Sequence, residues 1–208
     1  MITADALRNQ RDLETTDLRL VQNGPQFSDS VLRSLGDQDA IRLTGTHATF
    51  NLESVRSYLA SLPGRADRAD WAVIRKSDGS CIGEAVLNEL DADNATMNFR
   101  IMLSGDGARE RGYGTQTTRA VRDYGFDDVG LNRIGLEVYS FNPRAIRVYD
   151  KAGFQREGVR RDALNWDGVR HDAIVMGMLT SDPRPWATLG QPLRPRRRTL
   201  NITTLTGV

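Results

Sequence analysis

Residues 109–126 read RERGYGTQTTRAVRDYGF, with Gly112 and Gly114 set between arginines immediately ahead of a helical pattern. A strand-like segment, TMNFRIML, ends just before them at Leu103. A strand that runs into a glycine turn and then a helix restricts the chain to α/β architectures, because the helix must fold back to bury its apolar face on a sheet. Thr117, Ala120, Val121, Tyr124 and Gly125 supply that face in a helix expected from about Thr115.

The flanking segments agree. LRLV at residues 18–21 reads as a short strand, and amphipathic helices are expected near residues 27–35 and 52–62. In the second, Leu52, Val55, Leu59 and Leu62 fall at helical spacing before the stop signal Pro63-Gly64. Residues 71–75 and 82–90 read as a hairpin about a turn at 77–79, followed by the strand at 96–103. RIGLEVY, residues 133–139, is a further strand, and Asn142-Pro143 opens a helix that Gly153 ends. Residues 156–179 close as a hairpin about Asp167-Gly168. Strand, two helices, three strands, helix, strand, helix, two strands predicts a mixed α/β sheet of about seven strands with helices on both faces.

At 208 residues with a formal net charge of +1, the chain fits one large domain, and 39% hydrophobic against 26% charged residues is ordinary for a soluble globular protein. Near-zero charge gives no global attraction to nucleic acid or membrane. RPRRR, the one local basic run, lacks interleaved aromatic rings, so nucleic-acid binding is not expected. The single cysteine, Cys81, excludes an internal disulfide, and the polar start and the absence of a long apolar run point to a cytoplasmic protein without a membrane span. His47, His171 and Cys81 lack metal-ligand spacing, so no metal is expected. From residue 181 the composition shifts to proline and arginine and ends in LNITTLTGV. This divides the chain into a domain over residues 12–180 and an extension over 181–208. The β-branched end is suited to pairing with a neighbouring sheet edge in a homo-oligomer.

The glycine turn has the chemistry of an anion site. Free amides and the positive end of the helix dipole point out of the helix start, glycine lets a phosphate approach the backbone, and Arg109 and Arg111 stand at the rim. No Gly-Lys-Ser/Thr is present, and Glu110 spoils a dinucleotide fingerprint beginning at Gly105. A turn shaped by glycine for backbone reasons alone is the other reading.

RERGYGT resembles the Arg/Gln-x-x-Gly-x-Gly/Ala acetyl-CoA pyrophosphate motif of the GCN5-related N-acetyltransferases (GNAT), and GLEVYSFNPRAIRVYDKAGFQREG is similar to that family's next motif. The likeness spans about residues 13–179 and is closest to the branch of ribosomal-protein N-terminal and spermidine acetyltransferases. It implies a twisted, mostly antiparallel sheet with a splayed, V-shaped cleft. It further implies pyrophosphate on the amides of Arg111, Gly112, Gly114 and Thr115, with Arg109 at the rim. Pantetheine would lie beside Ile101, Met102 and Leu103, and Asn142 and Arg147 would contact the cofactor's other side.

The activity implied is acetyl transfer from acetyl-CoA to a primary amine, on a peptide N-terminus or a small molecule, by direct transfer in a ternary complex. The alternatives are a polyamine or aminoglycoside acceptor, or an acyl-CoA-binding protein without catalysis. By the resemblance Tyr149 is the acid that protonates the departing thiolate; by residue pattern alone it belongs to an apolar face with Ala145, Val148 and Ala152. Glu137 alternates against Ile134, Leu136 and Val138 on a strand expected to be covered on both sides, which makes it the candidate base. An ion pair with an arginine is the competing reading. Asn98 stands where many relatives carry glutamate, so Glu84 or a chain of waters is the substitute base.

Overall fold

The computed structural model describes residues 4–105 and 111–185. Eight strands form one sheet: β1 (Leu13–Glu14), β2 (Leu18–Gln22), β3 (Ala69–Arg75), β4 (Cys81–Asp91), β5 (Thr96–Leu103), β6 (Arg133–Tyr139), β7 (Gln155–Trp166) and β8 (Val169–Leu179). Their spatial order is β1-β2-β3-β4-β5-β6-β8-β7, and every neighbouring pair is antiparallel except β5–β6. The mixed α/β sheet expected from the sequence is present, with one more strand. Leu13 and Glu14 pair with Leu20 and Arg19, and two residues carry no periodicity to announce them.

The helices are α1 (Ala4–Arg8), α2 (Ser28–Leu35), α3 (Gln38–Thr44), α4 (Leu52–Ala60), α5 (Tyr113–Tyr124) and α6 (Pro143–Ala152). α5 and α6 cover one sheet face through a core that includes Trp71, Leu87, Phe99, Val121, Ile134, Ile146 and Met176. α2 and α4 pack over the other around Val31, Val55, Leu59 and Leu62. Two helices escaped the sequence reading, α1 and α3. In α3, Asp37 caps the start by accepting from the amides of Asp39 and Ala40 at 3.0 and 3.2 Å, but seven residues are too few for a clear 3.6-residue pattern. α5 opens at Tyr113, two residues earlier than expected, and runs on as a π turn over Gly125–Val129. α6 begins as the sequence requires, with Asn142 Oδ1 accepting the Ala145 amide at 3.1 Å and Pro143 at the first helical position.

The start of the extension is held to the domain rather than loose. Arg184 Nη1 lies 2.8 Å from Asp127 and 3.5 Å from Asp123, with its guanidinium 5.0 Å from the centre of the Phe126 ring. Pro183 and Pro185 cover the end of α6, where a Cβ on Gly153 would meet Pro185 Cδ at 2.9 Å. RPRRR and LNITTLTGV, invoked for nucleic acid and for oligomerisation, lie outside the described residues. Among the described residues no helix is long and apolar enough to cross a membrane.

One interruption in the sheet positions everything that follows. β5 and β6 pair only through Thr96↔Arg133, Met97↔Ile134 and Asn98↔Gly135. Beyond that point β5 stays with β4 as far as Leu103↔Gly83, and β6 stays with β8 as far as Tyr139↔Ala173. This parallel pair therefore opens into a V, and the backbone groups that β5 turns toward β6 past Asn98 have no strand partner there among the described residues.

Candidate active site

Directly paired residues share a sheet face, and side chains alternate along a strand. Asn98, Arg100 and Met102 thus lie on the face toward α2–α4, with Gly135, Glu137 and Tyr139 beside them on β6. Phe99, Ile101 and Leu103 lie on the opposite face, toward α5 and α6. A cavity of ≈ 510 Å³ occupies the V and is lined from both faces, by Asn98–Leu103 of β5, by Glu137, Val138 and Tyr139 of β6, and by Gly114, Asn142, Ala145, Val148 and Tyr149 on the α5–α6 side. The opening passes through the sheet. A ligand entering from the α5–α6 side can present its reactive end to a second ligand on the α3 side.

The residues on the α5–α6 side fit an acyl-CoA. Gly112 caps α5 at φ +76°, a conformation that favours glycine, and a Cβ built there would meet nothing within 4 Å. Gly114 lies against Val148, with 3.5 Å between a built Cβ and Val148 Cγ2. The start of α5 therefore offers open backbone beside the cavity mouth, as a diphosphate requires. Ile101, Met102, Leu103, Gly114 and Asn142 line the cavity. Arg111 is exposed, Thr115 is half-buried, and Arg147 is exposed, with none of the three in the cavity wall; Arg144, one turn earlier than Arg147, is. Arg109 lies outside the described residues.

Tyr149 is 6% exposed, and its ring meets Phe99 and Phe154 edge-on at 6.3 and 6.1 Å between centroids. Burial alone holds its phenol well above the ordinary tyrosine value. The ring packs as the apolar helix face predicts, while the residue also lines the cavity, so the structural and chemical readings fall on one side chain.

Glu137 is placed differently from the expectation. Its strand is covered on the Ile134, Leu136 and Val138 side, but the other side opens into the V, leaving the Glu137 side chain 44% exposed. Arg160 Nη1 lies 2.6 Å from both Glu137 oxygens. The premise of a buried carboxylate is therefore wrong, and the arginine pair of the competing reading is present. Glu84 faces the α2–α4 side opposite Met102, outside the cavity wall. It accepts from Asn23 Nδ2 at 3.3 Å, and burial first, then the Asp70 carboxylate, pushes its pKa up.

Sequence reasoning missed the α3-side wall of the cavity: Ala40, Leu43 and Thr44 of α3, with Glu89, Arg100 and Arg160. Glu89 sits at a bulge between Asn88 and Asp91 with φ +54°, which re-aims its side chain and leaves no trace in a period-two pattern. Ser34 and Ser104 hydroxyls, 2.5 Å apart, tie α2 to the end of β5. His47 stacks on Trp166, His171 meets Phe141, and Arg42 lies over Phe141, so both histidines are engaged in ring contacts around the β7–β8 hairpin, His47 from the loop between α3 and α4. Among the described residues no cluster has a metal-ligand arrangement.

Residues 18–155 match the family described as Acetyltransferase (GNAT) domain. The chain is 25% identical over 170 residues to an uncharacterized N-acetyltransferase, YoaA, of Bacillus subtilis (strain 168), covering 80% of this chain and 96% of that protein. It is 28% identical over 110 residues to a spermidine N(1)-acetyltransferase of Escherichia coli (strain K12), covering 53% of this chain and 59% of the relative. A spermidine N-acetyltransferase from Vibrio cholerae, solved in complex with CoA and spermine, superposes with a TM-score of 0.71 at 18% identity over 80% of this chain and 98% of that one. An acetyltransferase (GNAT family) from Bacillus anthracis does so with a TM-score of 0.69 at 18% identity, over 82% and 99%. The chain belongs to the GNAT family of acetyl-CoA-dependent N-acetyltransferases.

Proposed function

We propose that residues 12–180 transfer an acetyl group from acetyl-CoA to a primary amine, of a peptide N-terminus or a small molecule, by direct transfer across the V in a ternary complex. The observation that carries this reading is the cavity passing through the sheet between β5 and β6, with Tyr149 on its wall and the open start of α5 at its mouth. The amides of Arg111, Gly112, Gly114 and Thr115 hold the diphosphate. Unpaired backbone of β5 at Ile101, Met102 and Leu103 hydrogen-bonds the pantetheine. Asn142 and Arg144 flank it, while exposed Arg147 has access only to its outer, solvent side.

Bound acetyl-CoA supplies an acyl group activated as a thioester. The amine lone pair forms the C–N bond as the C–S bond breaks, and the Tyr149 phenol gives its proton to the sulfur. The amine loses a proton to Glu137 or to water, and the phenol is restored from solvent. A phenol whose pKa is raised by burial stays protonated throughout the neutral range and so remains loaded as an acid. The deciding experiment is CoA release from acetyl-CoA with a panel of amines, followed by mass spectrometry of the product. An acetylated amine formed at the rate of CoA release is expected. Acetyl-CoA binding with no product from any amine would favour an acyl-CoA-binding protein without catalysis.

A further inference from the structure

The acceptor end of the cavity carries its charges in a pattern that selects among amines. Its described carboxylates are Glu89 and Glu137, and its described cations are Arg100 and Arg160. A wall without an excess of negative charge offers a polycation no net attraction. Within this wall one pair of opposite charges is already in contact, Glu137 with Arg160. The contact is lopsided: a single nitrogen, Nη1, bridges both carboxylate oxygens at 2.6 Å. The parallel two-nitrogen fork that arginine normally gives a carboxylate is not used, so Nη2 and Nε remain without a partner among the described residues. Arg100, exposed on β5, lines the same cavity and forms no close ion pair among the described residues, its charge acting on the Glu84 carboxylate from a distance. Ala40, Leu43 and Tyr139 complete the wall with apolar surface.

We infer that the acceptor is a zwitterionic α-amino acid, its ammonium group held by Glu137 and its carboxylate by the free edge of Arg160 with Arg100. An α-amino acid carries opposite charges one carbon apart, and Glu137 and Arg160 present opposite charges in contact, so the two pairs align head to tail. Little is lost in admitting the ligand, because the pair is exposed and surface ion pairs contribute little. The ligand's ammonium gives one proton to Glu137, the freed lone pair forms the bond to the acetyl carbon as the C–S bond breaks, the nitrogen's second proton passes to water, and the thiolate leaves with the Tyr149 proton. Leu43 and Ala40 receive the amino-acid side chain.

This inference rests on the acetyl-transfer reading above, and its test separates the two. CoA release is measured with free L-amino acids, with the matching carboxamides, with short amino-terminal peptides and with spermidine. The free amino acid is expected to exceed its carboxamide by about tenfold or more in kcat/KM, since a site built to pair a carboxylate is left unsatisfied without one. In Arg160→Gln the ratio should fall to about one through a rise in KM for the amino acid, with Arg160→Lys intermediate because it restores charge but not the planar fork. Equal or better turnover of carboxamide, peptide or spermidine overturns the zwitterion assignment and leaves acetyl transfer standing. Survival of the preference in both Arg160→Gln and Arg100→Gln also overturns it. Release of CoA from no acceptor overturns both.

Discussion

At the scale of single residues, Gly114 separates cofactor binding from folding more cleanly than Gly112. Any side chain at Gly112 meets its left-handed φ of +76°, so a substitution there disturbs the turn as well as the site. Gly114 is helical, and an added Cβ would meet Val148 at the ordinary contact distance of 3.5 Å. Gly114→Leu should therefore largely keep thermal stability, since leucine is a better helix former than glycine, while its side chain, unlike the alanine that the motif admits, fills the cavity where the cofactor passes. Calorimetry should show acetyl-CoA affinity falling about tenfold; unchanged affinity would remove the α5 start from the cofactor site. The motif glycines are legible in the sequence because a positive φ or a close approach demands glycine. Glu137 is the opposite case: alternation gives its side of the strand correctly, but whether that side is covered depends on the splay of β5 from β6, a tertiary property that no local pattern carries. Arg160 and Glu89 were hidden for a related reason, being aligned only by cross-strand register and by a bulge.

At the scale of elements, the site depends on how α5 and α6 are fastened. Arg122, 1% exposed, donates from Nη1 to the Ala152 carbonyl at 2.6 Å, joining α5 to the last turn of α6. Arg184 fastens the segment after β8 to the π turn through Asp127 and the Phe126 ring. Composition alone marks residues after 181 as an appendage, and it misses this latch because one arginine among many gives no signal. Arg184→Ala should lower Tm by about 3 °C, the equivalent of about 1 kcal/mol in a domain of this size, with acetyl-CoA affinity unchanged. An unchanged Tm would mean that the latch contributes nothing. The long elements were legible, since β3, β4, β5, β6 and α4 carry clear periodicity and capping signals. α1, α3 and β1 were not: helices of 5 and 7 residues make fewer than two turns, too few for a 3.6-residue pattern, and a strand of 2 residues shows no alternation.

At the scale of the whole molecule, burial sets how the fold answers to alkali. Burial first, and then the Asp128 carboxylate, pushes Tyr124 up to about 12, and burial raises Tyr149 as well. A phenol with a folded pKa above its unfolded value of about 10 binds its proton more tightly in the native state. Its contribution is fully present below about pH 10 and is lost as pH climbs from there toward 12. Denaturant midpoints should stay level up to about pH 10 and then fall, with a shallower fall in Tyr124→Phe. A fall of the same steepness in that variant would deny Tyr124 a part in it. Acetyl transfer across the V turns on proton delivery to the sulfur, and Tyr149→Phe isolates that step because the ring and its contacts with Phe99 and Phe154 remain while only the phenol goes. The single-turnover rate of acetyl transfer, read so that product release does not mask chemistry, should fall by about 10²-fold with acetyl-CoA affinity nearly unchanged. A rate close to that of the unmodified protein would contradict the account and leave Tyr149 as packing for the helix face.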